Sequence, residues 1–283
     1  MSNWGRWGAE DERGTLNLLT PERVRAAAGL VRTGRVYSLG LDLSADAPRT
    51  PNRSPIWHRA TRSEPPGPAM SSADDIILLH THTATHLDAL CHVWVDGQLY
   101  NGHPSRGIDH RGAARNGVHN VRALVARGVL LDVAAHRGVD HLEPGQVIPA
   151  AELDEVARAQ GVELQAGDVV LIRTGWIRMM GQDRARFDRF EEPGPGRDAV
   201  EWFRRHDLAG LGADNAAVEV APPEDRTQLA VHLGVIRELG GYLIEFLNLE
   251  ELAADRVHEF LFALAPLRIL RGIGSPVNPI AIA

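Results

Sequence analysis

A chain of 283 residues, 44% of them hydrophobic, is long enough to bury a sizeable core, and no shift in composition divides it, so a single domain spanning 1–283 is expected. Its 37 acidic residues exceed 30 basic ones and are spread along the chain without a basic block, which excludes the electrostatic footprint of a nucleic-acid-binding protein. A single cysteine, Cys91, excludes an intrachain disulfide framework and four-cysteine zinc sites and points to a reducing, cytoplasmic setting, while no apolar run reaches the roughly 18 residues of a membrane span.

Residues 1–19 are rich in Gly and Trp without periodicity and carry neither the basic end nor the apolar stretch of a signal peptide, so an irregular segment is expected. Thr20, Pro21 and Glu22 supply a cap, a first-turn proline and a first-turn acid for a helix running to about Thr33, with Gly34 as its stop. Residues 36–43 predict a strand. Six prolines between Ala47 and Ala69, at 48, 51, 55, 65, 66 and 68, predict an extended loop, a candidate lid over a site. From Asp75 the run IILLH predicts a buried strand, as do residues 128–135 and 168–174. Helices are expected at Pro149–Gln160, at Asp198–His206 and near Thr227–Leu239, with strands at 208–214 and 242–247. This alternation predicts an α/β domain with a mixed sheet.

The strongest chemical signal is the segment HTHTATHLDALCH, residues 80–92, which crowds His82, His86, Asp88 and His92 into eleven residues. Two imidazoles and a carboxylate suit Zn²⁺ or Mn²⁺, and three protein ligands leave a position for water. Water on such an ion loses a proton near neutral pH, and His92, four residues past Asp88, is placed to shuttle it. The bland alternative, core or solvated histidines, fits any one of them better than it fits the cluster. The β-branched Thr81, Thr83 and Thr85 favour a strand or tight turn as the carrier. Cys91 has no oxyanion-hole motif beside it and is expected to be a small buried apolar residue. The GxSxG, HExxH and P-loop patterns are absent. Trp57, Trp94 and Trp176 are candidates for lining an apolar substrate pocket, with core packing the alternative for each. His103, His110 and His119 are expected at the surface or supporting the ligands.

The stretch HTATHLDALCH (82–92) resembles the cyclase family of metal-dependent hydrolases, which includes kynurenine formamidases and isatin hydrolases and carries the motif HxGTHxDxPxH. All three histidines, Thr85 and Asp88 match; Ala84 stands for the glycine and Leu90 for the proline. GDVVLIRTGW (167–176) and VHLGVIRELGGYLIEFLNLEEL (231–252) look like the family's other recurring blocks, so the likeness covers most of the chain. The resemblance implies that His232 and Glu245 complete a site for one or two divalent ions, Zn²⁺ or Mn²⁺. It also implies a mixed, barrel-like sheet flanked by helices, and homodimers or larger homo-oligomers. The implied reaction is hydrolysis of a small-molecule amide, imide or lactone by metal-activated water, with His92 as general base and then acid. Read without the resemblance, Glu245 is a carboxylate inside the apolar run YLIEFL, costly there unless paired or bound to a cation, or else facing outward. The rivals are metal-promoted ring closure or dehydration, and a non-catalytic metal- or ligand-binding protein.

Overall fold

The computed structural model describes residues 2–67, 69–224 and 227–283. Helix α1 (Pro21–Ala28) starts as the sequence implies, with the Thr20 side chain accepting a hydrogen bond from the Arg23 amide at 3.4 Å. It stops at Gly29 rather than near Thr33, because Ala27 is its one buried residue and no apolar face carries it past a poor helix former. Strand β1 covers Val36–Ser38 and not the whole of 36–43. At Gly40 the chain runs against Asn278, whose Oδ1 would lie 2.7 Å from a Cβ there.

The proline-rich stretch is not one extended loop. Trp57–Ser63 (β2) and Ser72–Leu78 (β3) form an antiparallel hairpin in which Trp57 faces Leu78. Pro48, Pro51 and Pro55 lie before it and Pro65 and Pro66 in its connection, so no proline interrupts either ladder; Pro68 lies outside the described residues. Every residue of both strands is exposed, including Ile76, Ile77 and Leu78, so the IILLH run is a strand but not a buried one. An apolar run reports strand propensity without saying which surface covers it.

Apart from two short two-residue pairings, at 108–109 with 112–113 and at 147–148 with 194–195, eight further strands belong to one sheet: β4 (His86–Asp88), β5 (Leu124–Asp132), β6 (Val169–Arg173), β7 (Gly210–Ala213), β8 (Tyr242–Glu245), β9 (Glu259–Leu264), β10 (Gly274–Pro276) and β11 (Ile280–Ile282). With β1 they form nine strands in the order β1-β11-β9-β5-β6-β7-β8-β4-β10 among the described residues. The run from β5 to β8 is parallel, and its apolar strands, buried on both faces, form the centre of the core. The outer strands pair antiparallel, giving the mixed half-barrel expected. Strand β5 ends at Asp132, whose side chain accepts from the Ala135 amide at 3.0 Å and turns 133–136 into a helical turn instead of strand.

Helices α2 (Ala150–Ala159) and α3 (Ala199–His206) bury Leu153, Val156 and Ala157, and Ala199, Trp202 and Phe203. Trp202 Nε1 donates to Asp154 Oδ1 at 2.7 Å and ties the two helices together. The helix expected near Thr227–Leu239 is a short α turn at Ala230–His232 followed by a π-helical run at Leu233–Glu238. A widened turn of this kind is frequent beside functional residues, and His232 stands at its entrance. No helix among the described residues is long and apolar enough to cross a membrane.

Candidate metal centre

Strand alternation puts His86 and Asp88 on one face of β4 and sends Leu87, fully buried, to the other. In the antiparallel register Glu245 of β8 lies opposite His86, and Gly274 of β10 lies opposite Asp88. The cross-strand neighbours thus bring His86 Nε2 to 3.0 Å from Glu245 Oε2. Gly274 has no side chain where His82 needs the space: a Cβ there would lie 2.5 Å from His82 Nε2. Between the two histidines the chain turns through Ala84, whose φ of 53° is left-handed and whose amide donates to the Pro48 carbonyl at 2.9 Å. Thr85 locks the turn to the next strand, donating through Oγ1 to the Phe246 carbonyl at 2.6 Å and accepting from the Leu41 amide at 2.9 Å.

Six side chains converge. His82 Nε2 lies 3.4 Å and His86 Nε2 3.7 Å from Asp88 Oδ1, while His232 Nε2 is 3.5 Å from Asp88 Oδ2 and 3.0 Å from Glu245 Oε1. His92 Nε2 stands 4.0 Å from Asp88 Oδ1, its ring stacked on that of His82 with centroids 4.2 Å apart. The remote nitrogens are fixed. His86 Nδ1 bonds the Ala84 carbonyl at 2.8 Å and His232 Nδ1 bonds Glu219 Oε1 at 2.7 Å, leaving each Nε2 for the centre. Yet both oxygens of Asp88 and Nε2 of His82 are buried without a hydrogen-bond partner among the described residues. Groups in that state need a cation to justify their burial. The ligand atoms fall into two triples that share Asp88, namely His82, Asp88 and His92, and Asp88, His232 and Glu245. These residues fit a divalent metal ion, with donors of the imidazole and carboxylate kind.

Electrostatics in the cluster follow burial and the two carboxylates. Burial, helped by the neighbouring His92 and His86, pushes the His82 imidazole well down, and burial also lowers His92, leaving both neutral at pH 7. Burial opposes charge on His232, but hydrogen bonds to Glu219 and Glu245 outweigh it and raise its pKa to about 10. His86 is raised likewise, Glu245 overcoming burial, and Glu245 is held well below the carboxylate range, the two histidines overcoming its own burial. Cys91 is buried, and burial pushes its thiol up to about 12, which removes it as a thiolate nucleophile.

The structure therefore brings His82, His86, Asp88, His92, His232 and Glu245 together. It also places His92 within ligand reach, and not only at a distance suited to proton transfer. The tryptophans are elsewhere. Trp57, on the hairpin, and Trp94 are each 48% exposed and make no ring contact among the described residues. Trp176 is fully buried against Phe187, which meets Phe246, whose ring lies 6.0 Å from His86; it backs the centre rather than lining a pocket. His103 bonds the Asp11 carbonyl and His119 the Arg271 amide, neither of these partners being a ligand, and His110 is exposed. Two residues escaped the sequence reading. Glu219, in the apolar run AAVEVA, could have been found by the argument that singled out Glu245. Arg53, which donates to the His82 carbonyl, carries no sequence signal because only tertiary structure brings it there.

The family model "Putative cyclase" matches residues 24–220. The chain belongs to the cyclase family. It is 26% identical over 235 residues to the isatin hydrolase of Roseibium aggregatum, covering 80% of each chain. A crystal structure described as a novel cyclase superposes with a TM-score of 0.91 at 36% identity, over all of both chains. Isatin hydrolase A from Ralstonia solanacearum superposes with a TM-score of 0.65 at 25% identity, over 93% of this chain and 97% of that one. Within the cyclase family motif, Ala84 holds in this chain the left-handed turn that a glycine would adopt without steric cost.

Proposed function

We propose that this cyclase-family protein hydrolyses a C(=O)–N or C(=O)–O bond of a small-molecule amide, imide or lactone at the Asp88 cluster. The observation that carries the reading is the buried, unpartnered carboxylate of Asp88, ringed by imidazoles of which one, His92, keeps 22% of its side chain open to solvent. A divalent ion there, Zn²⁺ or Mn²⁺, as one ion or two, would supply the positive charge that acidifies water and polarises the carbonyl. His82, His86, Asp88, His232 and Glu245 would hold it; Glu219 and the Ala84 carbonyl orient His232 and His86 through hydrogen bonds at their Nδ1 atoms. His92, neutral because burial lowers its pKa and the most open of the four rings, takes the proton at Nε2 from water and returns it to the leaving group.

Likeness to isatin hydrolases favours hydrolysis over ring closure or dehydration. The opening beside His92 favours catalysis over a non-catalytic site closed by protein ligands. The test is turnover of isatin and of an aryl formamide in ¹⁸O-labelled water by protein of known metal content. Solvent oxygen should enter the product, and His86→Ala should lose metal and turnover together. Full activity in His86→Ala, or product without solvent oxygen, overturns the reading. We assign the exposed hairpin to a second copy of this chain, since a two-stranded ribbon carrying Trp57, Ile76, Ile77 and Leu78 in the open is only marginally stable unaided. Ile77→Asp should then lower the mass in solution measured by light scattering.

A further inference from the structure

We propose that the cavity beside the metal centre, walled by Arg49, Arg53 and Arg184, binds a carboxylate on the substrate, so that the preferred substrates are anionic. The inference rests on the hydrolytic reading above and adds the substrate class. The cavity holds about 290 Å³, with Thr50, Pro51, Asp188 and Phe190 completing its wall. Of its three guanidinium groups, Arg184 is spoken for: its Nε lies 2.8 Å from both carboxylate oxygens of Asp188, and Nη1 donates to the Asp46 carbonyl. The other two differ. Arg49 donates only to the backbone carbonyls of Ala45 and Ala47, at 3.2 and 3.0 Å, and Arg53 only to that of His82. Neither forms an ion pair with a carboxylate among the described residues, so the wall carries two positive charges in a protein of net charge −7.

Position ties this charge to the reaction. Arg53 is half-buried, and it interacts electrostatically with Asp88, Glu245 and His82 of the cluster. The segment that carries both arginines is fastened to the histidine turn through the Ala84 amide and the Pro48 carbonyl, and it is folded on itself by the Arg53 amide bonding the Thr50 carbonyl at 3.0 Å. Each guanidinium has five N–H donors in a planar fork, most of them uncommitted here, a shape that grips a carboxylate through two parallel hydrogen bonds. Phe190, which packs on the cluster of Trp176 and Phe246, adds an apolar wall suited to a ring that bears the acid.

Calorimetric titration of metal-loaded protein with benzoate and with benzamide tests the binding directly. Benzoate should bind at least ten-fold more tightly, and the double variant Arg49→Gln/Arg53→Gln should keep its metal and lose about ten- to hundred-fold in benzoate affinity. Equal benzoate affinity in the double variant would place the carboxylate on the metal and overturn the proposal; so would no preference over benzamide. If the double variant fails to fold or to hold metal, Arg49→Gln alone, which leaves the His82 carbonyl bonded, should still weaken benzoate at least three-fold. In turnover, the ratio of kcat/KM for 2-formamidobenzoate over formanilide should fall at least ten-fold in Arg53→Gln through KM, and recover in part in Arg53→Lys. A loss shared equally by both probes would instead make Arg53 a prop for the histidine turn. Turnover of neither probe would count against formamide hydrolysis, while the benzoate titration would still decide the pocket.

Discussion

Replacing Gly274 by alanine would press a methyl group into the metal centre without replacing a ligand. The added Cβ would lie 2.5 Å from His82 Nε2, 2.9 Å from its Cε1 and 2.9 Å from the Leu87 carbonyl oxygen. The carbonyl cannot yield, because Leu87 is held in the β4–β10 ladder. The ring cannot swing freely either, being stacked on His92 and held at Nδ1 by Thr81 Oγ1 at 3.1 Å. Restoring ordinary contact moves His82 Nε2 by about 1 Å, several times the roughly 0.2 Å that a metal–ligand distance tolerates. Overpacking of this kind costs about 1–3 kcal/mol, which in a chain this long lowers Tm by about 2–6 °C. Metal affinity should fall about ten- to hundred-fold, as it does when a ligand is misoriented. Gly210→Ala is the matched control: its Cβ would meet nothing nearer than the Tyr242 carbonyl at 3.4 Å. Thermal unfolding and competitive metal titration of both variants provide the measurements. Gly274→Ala with wild-type Tm and wild-type metal affinity would refute the reasoning.

Three further outcomes follow from the same geometry. Glu219→Gln leaves one acceptor oxygen where the Val231 amide and the His232 amide and Nδ1 now use two, and it removes the negative charge facing His232 Nδ1, so metal affinity should drop about ten-fold and the His232 pKa, raised to about 10 by its two glutamates, should fall; an unchanged NMR titration of that ring would count against the role. His92→Ala should retain bound metal while turnover falls about 10²–10⁴-fold; loss of a whole equivalent of metal would make His92 a ligand instead. Burial holds the Asp168 carboxyl up at about 6 against an ordinary 3.8, so between these values the folded protein binds more protons than the unfolded chain and this group lowers stability as pH rises. The Tm of Asp168→Asn relative to wild type should therefore rise from pH 4 to pH 7, with Arg127 still paired to Glu259 at 3.1 Å; a flat or falling difference would show that the carboxyl is ordinary.

Four of the six side chains of the centre were legible because they are neighbours in the chain: His82, His86, Asp88 and His92 need only one turn and one short strand to converge. Glu245 came only from the family resemblance, since a carboxylate in an apolar strand can pair, bind a cation or face outward, and its local sequence does not choose among these. His232 likewise came only from the resemblance, since a lone histidine on a helical stretch has many uses, and its partner Glu219 lies thirteen residues earlier in the chain. Arg53 reaches the site only because the hairpin's leading segment folds back on the histidine turn. The parallel strands announced themselves as continuous apolar runs, whereas α1 ended early for want of a buried face, and the segment before Leu239 was shaped by contacts that local propensity does not contain. Gly234 is such a case, packed so closely on Val200 that no side chain fits. The exposure of Ile76, Ile77 and Leu78 shows the same limit from the other side.

The pairing of Glu245 with His86 and of Gly274 with Asp88 has a bearing on which changes of chain length the protein can survive. A strand has a side-chain period of two, so one residue inserted or deleted within 242–245 would turn the carboxylate away and set Ile244 among the imidazoles. The same single step within 86–88 would exchange Asp88 for Leu87. The hairpin connection between Ser63 and Ser72 has no such constraint, since its described residues are exposed and its length sets no ligand. Insertions and deletions accumulated over evolutionary descent should therefore gather in that connection and be absent from those two short strands, even where their sequences drift.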